Sequence, residues 1–161
     1  MRLLFLALLL LTSCSAFAIN VDHTYTNINY DYSITIPSGF AGQGESDSGD
    51  GQRFVSANGK EVLAVWGGFI LDGDFLTEIS GRKNEYAEDW TLTYKVIKPA
   101  WASFSGVKGD QIVYVYAVSS CQGDRYAMFD LEYPKEDIVD LAPVISNLVK
   151  SLHLVCHFYR D

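Results

Sequence analysis

Residues 110–133 alternate too regularly to be anything but strand. Ile112, Tyr114 and Tyr116 fall on one side of an extended segment, with Val113, Val115 and Ala117 on the other. Gln122-Gly123-Asp124 then turns the chain back into residues 125–133, and Pro134 ends the run. Period-two alternation of this length around a tight turn commits the chain to an antiparallel sheet. The rest of the sequence must supply its neighbours and its cover.

The neighbours are legible as shorter runs. Residues 25–28 and 32–36 alternate around Asn29-Tyr30-Asp31, and Pro37-Ser38-Gly39-Phe40 stops the pair. Residues 41–51 are rich in Gly, Ser and Asp and read as a mobile loop. Residues 52–57 and 61–69 flank Asn58-Gly59, a strong hairpin signal. Gly67-Gly68 near the end of that return strand signals a bulge or a close backbone approach. Two more strands follow at 92–97 and 100–104, with a turn at Ser105-Gly106.

Two stretches change period and supply the cover. Phe75, Ile79, Tyr86 and Trp90 sit at helical offsets, with Leu76 and Ala87 widening the stripe. Asp72 or Asp74 caps this helix, and Gly81 weakens its middle. Ile138, Leu141, Ala142, Ile145, Leu148, Val149 and Leu152 make the second apolar face. Proline is tolerated only in a first turn, so Pro143 places the regular start near Asp140. The expectation is an α+β domain: a single antiparallel sheet of about seven strands flanked by two main helices.

The N-terminus gives an address. Arg2, the apolar run 3–11 and the small, polar stretch 12–18 form a secretion signal, too short to span a bilayer as a helix. Two processing sites fit. Ala16-Phe17-Ala18 matches the box cut by ordinary signal peptidase, freeing a chain from residue 19. Leu11-Thr12-Ser13-Cys14 resembles the bacterial lipobox, which makes Cys14 a lipid anchor. The reading is residues 1–18 as signal and 19–161 as one exported domain, in the periplasm or anchored to a membrane of a Gram-negative bacterium.

With Arg2 removed, 11 basic residues stand against 20 acidic ones, a net charge of −9. That acidity argues against nucleic acid or anionic lipid, which need Lys and Arg to displace counterions. The third feature of an exported chain is its cysteines. Apart from Cys14 only Cys121 and Cys156 remain, and in an oxidising compartment such a pair reads as a disulfide worth about 3–4 kcal/mol. Two buried thiols are the competing reading.

The order of elements resembles the PsbP-like α/β sandwich, shared by photosystem PsbP proteins, the Ran-binding Mog family and small bacterial envelope proteins. The likeness is carried by Tyr32-Ser33-Ile34-Thr35-Ile36-Pro37-Ser38-Gly39-Phe40, by Arg53-Phe54 with Asn58-Gly59, and by the helix ending near Trp90. It continues through the Gly106-to-Gly109 turn, the Tyr114/Tyr116 strand and the helix over 144–152. The resemblance implies a binding scaffold of diverse roles, an immunity-type role among them, and transfers no functional residue by position.

Catalytic signals are missing from the sequence: no nucleophile elbow, no phosphate-binding glycine spacing, and acids paired only at adjacent positions. Asp47-Ser48-Gly49-Asp50-Gly51 departs from calcium-loop spacing and reads as a solvated loop. His153, Cys156 and His157 suit zinc only on a helix and lack a fourth ligand. No cofactor, metal or catalytic residue is assigned. Aromatic residues make up 14% of the chain, and tyrosine on a partly covered sheet face favours interfaces. The function expected is therefore an exported, non-catalytic binding or accessory protein of the envelope, an inhibitor or immunity-type protein included, with a protein partner. Glu45, Asp47 and Asp50 with Gly67 and Gly68 form its expected contact surface. The alternatives are a cation-dependent or hydrolytic enzyme using converging carboxylates, and a structural lipoprotein.

Overall fold

The computed structural model describes residues 21–155. The signal segment with Cys14, and Cys156 and His157, lie outside the described residues. Among the described residues the chain runs β1 (His23–Asn27), β2 (Tyr32–Ile36), β3 (Phe40–Glu45), β4 (Gly51–Ser56), β5 (Val62–Phe69) and α1 (Phe75–Asp89). It continues through β6 (Thr91–Ile97), β7 (Trp101–Lys108), β8 (Gln111–Ser119), β9 (Arg125–Pro134), a 3₁₀ turn, α2 (Ile138–Ser151) and β10 (His153–Leu154).

Seven strands form an antiparallel sheet in the order β3-β4-β5-β9-β8-β7-β6. Its two faces bury separate cores. Phe54, Leu63, Val65, Phe129 and Leu131 point to one side, where Tyr32, Ile34 and Ile36 of β2 and Leu141 and Leu148 of α2 cover them. Ala102, Phe104, Val113, Val115, Ala117 and Met128 point to the other, under Phe75 and Ile79 of α1. The result is three layers with the large sheet in the middle.

The α+β class, the seven-stranded antiparallel sheet and the two helices agree with the sequence expectation; four local expectations need correction. The β1–β2 hairpin does not join the main sheet but pairs with β10 as a separate three-stranded sheet. Its apolar side (Tyr32, Ile34, Ile36) is needed as cover for β4, β5 and β9, which α2 alone leaves bare. The 41–51 segment is not a loop throughout: Phe40, Ala41 and Gly42 pair with Ser56, Val55 and Phe54 before the register shifts. A hydrogen-bonding edge on β4 outweighs the poor strand propensity of glycine. Strand β7 runs on to Lys108, and the turn is made at Gly109, whose φ is 58°. Helix α2 starts at Ile138, so Pro143 lies inside it. The lost bond falls opposite the Val139 carbonyl on the exposed side, where water can reach it.

Two glycines illustrate opposite demands. A Cβ on Gly51 would run into the Val65 carbonyl oxygen and the Trp66 backbone of the neighbouring strand. A Cβ on Gly81 would meet nothing within 4 Å, and α1 runs through it unbroken. Gly51→Ala should therefore lower stability by about 1–3 kcal/mol through overpacking. Gly81→Ala should raise it by about 0.5–1 kcal/mol through helix propensity. Urea midpoints of the two variants, moving in opposite directions, check this.

Candidate functional site

Four connections meet at one end of the large sheet: β1–β2, β3–β4, β5–α1 and β8–β9. Asn27, only 4% exposed, ties two of them together. Its Oδ1 accepts the N–H groups of Asn29 and Tyr30 at 3.0 and 3.1 Å, shaping the β1–β2 turn. Its Nδ2 donates to the Gly49 carbonyl at 2.9 Å, and Asn29 Nδ2 donates to the same oxygen at 3.1 Å. The Asp50 carbonyl accepts from Tyr32 Oη at 2.9 Å and from Gly67 N–H at 3.0 Å. Ile70 N–H donates to the Asp124 carbonyl at 2.8 Å, which adds the β8–β9 turn.

The 46–50 turn is built rather than slack. Ser46 N–H donates to the Gly51 carbonyl at 2.8 Å, and Gly49 N–H to the Ser46 carbonyl at 2.9 Å. The Ser46 hydroxyl donates to the Asp50 carboxylate and accepts the Asp50 N–H at 3.1 Å. Burial raises the pKa of Asp50, but the bonds from Ser46 and Ser48 and the charge of Arg82 outweigh it, and the carboxyl titrates below its ordinary value. Glu45 accepts from Tyr25 Oη at 2.9 Å, and Asp47 stands exposed at the crest.

Beside this turn the molecule leaves large apolar side chains in water. Ile28 is 82% exposed, Leu71 86% and Phe69 50%. The Tyr30 ring lies 5.2 Å from that of Phe69, so the two connections share one apolar tip. Exposed Asp72, Asp74 and Asp124 complete an acidic rim begun by Glu45, Asp47 and Asp50. Exposed patches of this kind, apolar with a polar rim, mark interaction sites. Asp74 also caps α1, accepting the Thr77 N–H at 2.9 Å.

The expected contact residues thus come together, but in different roles. Gly67 is buried beneath the Tyr32 ring and the Tyr30 Cβ, and Gly68 is half-buried beneath Tyr126. Both stay in regular register, opposite Ala127 and Tyr126, without a bulge. The close approach is real; the approaching group is an aromatic ring. Ile28, Phe69 and Leu71 escaped the sequence reading, although large apolar residues inside turn-forming stretches were a signal to follow.

Cavities flank the 46–50 turn on both sides. One of about 230 Å³ is lined by Thr26, Asn27, Ile28, Asn29, Glu45 and Gly49. The other, about 390 Å³, opens on the α1 side of the sheet against Trp66, Ala64, Arg53 and Asp50. Farther along that side, a shallow hollow of about 270 Å³ is lined by Glu85, Tyr86, Asp89, Trp90 and Glu132. Two of these acids already hold cations: Lys108 Nζ is 3.3 Å from Asp89, and Arg82 is 3.5 Å from Glu85.

His153 lies on β10, not on a helix, with Nε2 3.0 Å from Ser33 Oγ and Nδ1 2.8 Å from the Ser151 carbonyl. The helical zinc arrangement is therefore lost, and Cys156 and His157 are outside the described residues. Among the described residues no group of three His, Cys, Asp or Glu side chains could hold a metal ion. Cys121 sits in the exposed β8–β9 turn.

Between the two α1-side cavities Asp130 is buried in the middle of β9 and accepts a hydrogen bond from Tyr86 Oη of α1. Burial pushes its pKa up to about 6, helped by Glu132 and opposed by Tyr86 and Arg53. Because the folded value exceeds the unfolded one, the stability from protonated Asp130 is full below about pH 4 and is lost as pH rises through about 6. Asp130→Asn can still accept from Tyr86. Its stability relative to the parent should rise between pH 4 and pH 7 by on the order of 2 kcal/mol, in denaturation series across that range. A flat difference would contradict the assignment.

No family model matches the chain, and no curated protein does either. Solved structures do. The solution structure of the cyanobacterial PsbP protein CyanoP from Synechocystis aligns with a TM-score of 0.59 and 15% identity, covering 90% of this chain and 99% of that one. The Saccharomyces cerevisiae Ran-binding protein Mog1p aligns with a TM-score of 0.59 and 12% identity, over 84% of this chain and 96% of that one. The chain has the PsbP-like, Mog-type fold that its sequence resembles.

Proposed function

We propose that the chain is an exported, non-catalytic binding protein of the bacterial envelope that captures a protein partner at the loop end of its sheet. One observation carries this reading: Tyr30 meets Phe69 where two connections that also expose Ile28 and Leu71 come together, beside acidic turns, on a chain of net charge −8. An apolar centre with a charged rim is the anatomy of a protein interface. Its sign selects a partner with Lys and Arg around an apolar patch, an effector to be inhibited among them. The fold neighbour Mog1p is described as Ran-binding, which suits a scaffold that holds proteins.

The hydrolytic alternative draws on the acid-lined cavity of Glu85, Asp89 and Glu132. Arg82 and Lys108 already neutralise two of those groups, which favours a structural role for them.

Partner capture from envelope extract tests the proposal. A Phe69→Ala, Leu71→Ala double variant should lose at least tenfold in affinity for the captured protein, since each buried side chain contributes about 1.5–3 kcal/mol. Glu45→Gln with Asp47→Asn should instead weaken capture mainly at low salt, because rim charges steer association and are screened. Unchanged affinity in both variants would remove the tip from consideration.

Export and its consequences belong to the same proposal. Val155 N–H donates to the Asp31 carbonyl at 2.7 Å, and the Asp31 carboxylate pairs with Arg125. Ser120 N–H donates to the Arg125 carbonyl at 2.8 Å. The neighbours of Cys121 and Cys156 in sequence are thus held by one ion pair, which supports a Cys121–Cys156 disulfide. Intact mass of protein from the envelope should show no alkylatable thiol before reduction and two after it. The same spectrum should begin at lipidated Cys14 or at residue 19, and an unprocessed Met1 would overturn export.

A further inference from the structure

The cavity of about 390 Å³ on the α1 side of the sheet shares Ser46 and Asp50 with the acidic turn but contains none of Ile28, Tyr30, Phe69 or Leu71. Its floor is Trp66 and Ala64 of β5 with Gly51 of β4, and its rim is Ser46, Asp50 and Arg53. That is the size and make-up of a small-molecule site: an apolar base with a few convergent polar groups. Three observations fix what it would take.

The base is made where two strands run close together. A Cβ on Gly51 would strike the Val65 carbonyl oxygen and the Cα and Cβ of Trp66, so β4 leaves no side chain of its own over this part of β5. Trp66 is half-buried and lines the cavity. Next, the acid of the rim is already satisfied. Asp50 accepts from the Ser46 hydroxyl and feels the charge of Arg82, and both hold it ionised without a ligand. The cation of the rim, by contrast, is open. Arg53 is exposed, and among the described residues it makes no ion pair or hydrogen bond through its side chain. The charge of Arg53 is felt by Asp130, but that carboxylate is buried and takes its hydrogen bond from Tyr86. In a chain with 20 acids and 12 bases, an exposed guanidinium with no direct ion pair, on the edge of an apolar hollow, favours an anion.

From this we infer that the Trp66 cavity binds a small organic acid, its flat apolar body stacked on Trp66 and its carboxylate held by Arg53. The guanidinium presents parallel N–H donors that match a carboxylate, and charge-assisted bonds of this kind are about twice as strong as neutral ones. Stacking on the indole supplies the remaining contact.

The test titrates the folded protein with phenylacetate and with 2-phenylethanol, its uncharged analogue, following the indole N–H signals by NMR. The Trp66 signal should shift saturably with phenylacetate, while Trp90 and Trp101 stay in place. 2-Phenylethanol should bind about tenfold more weakly or worse. Arg53→Gln should abolish that difference while leaving the fold and the weak binding of the alcohol intact, and Arg53→Lys should restore part of it. No saturable shift of Trp66, equal affinity for acid and alcohol, or an Arg53→Gln variant that still prefers the acid would each overturn the site. Tenfold tighter binding of N-acetyl-Gly-Gly-Phe than of phenylacetate would overturn it too, by making a partner's C-terminus the ligand.

Discussion

Because β9 is apolar on both faces, with Ala127, Phe129 and Leu131 toward one and Tyr126 and Met128 toward the other, it is satisfied only as the middle of three layers. It pairs with β5 on one side and β8 on the other, which puts it at the centre of the seven-stranded sheet. Neither face can be left in water: each fully buried side chain of this size contributes about 1.5–3 kcal/mol. The two covers follow from that need. Helix α2 and the β1–β2–β10 sheet close the first face, and α1 closes part of the second. The part that α1 leaves open, over β4 and β5, is where the Trp66 cavity lies.

The same strand carries the one polar group that interrupts this logic. Asp130 is 8% exposed in the middle of β9, where an ionised carboxylate is costly unless it is hydrogen-bonded. Tyr86 provides that bond and is itself pushed well above the ordinary tyrosine range by burial and by the acid it touches. Burying two polar groups against each other adds a directional contact to the apolar seat of α1, where Phe75 and Ile79 are buried and Tyr86 and Trp90 pack beside them.

Most of the sheet was legible because period two survives in any context. Residues 111–119 and 125–134 formed as strands where the alternation put them, and Asn58-Gly59 turned where it should. Illegible elements were those decided by partners remote in sequence. Phe40-Ala41-Gly42 became strand only because β4 offered a free edge. The β1–β2 hairpin was recognised as a hairpin, but its sheet was set by the bare face it had to cover and by β10, which returns from more than a hundred residues away. Gly106 misled for a related reason. It reads as a turn residue, yet it sits mid-strand because Trp90 lies against it, where a Cβ would come within 2.9 Å.

The acidic part of the loop end was visible in the sequence and its apolar part was not, and the glycines explain how the two are joined. Gly67 lets the Tyr32 ring and the Tyr30 Cβ settle onto β5, where an added Cβ would lie 2.8 Å from Tyr32. With Tyr32 seated there, its hydroxyl reaches the Asp50 carbonyl and fixes the acidic turn. With Tyr30 seated there, its ring meets Phe69 and fixes the apolar tip. Gly67 is thus the seat on which the acidic turn and the apolar tip both rest, while Gly68 seats Tyr126. Pre-ordering of this kind lowers the entropy that a partner would otherwise spend in arranging mobile loops, and so favours affinity from a small patch.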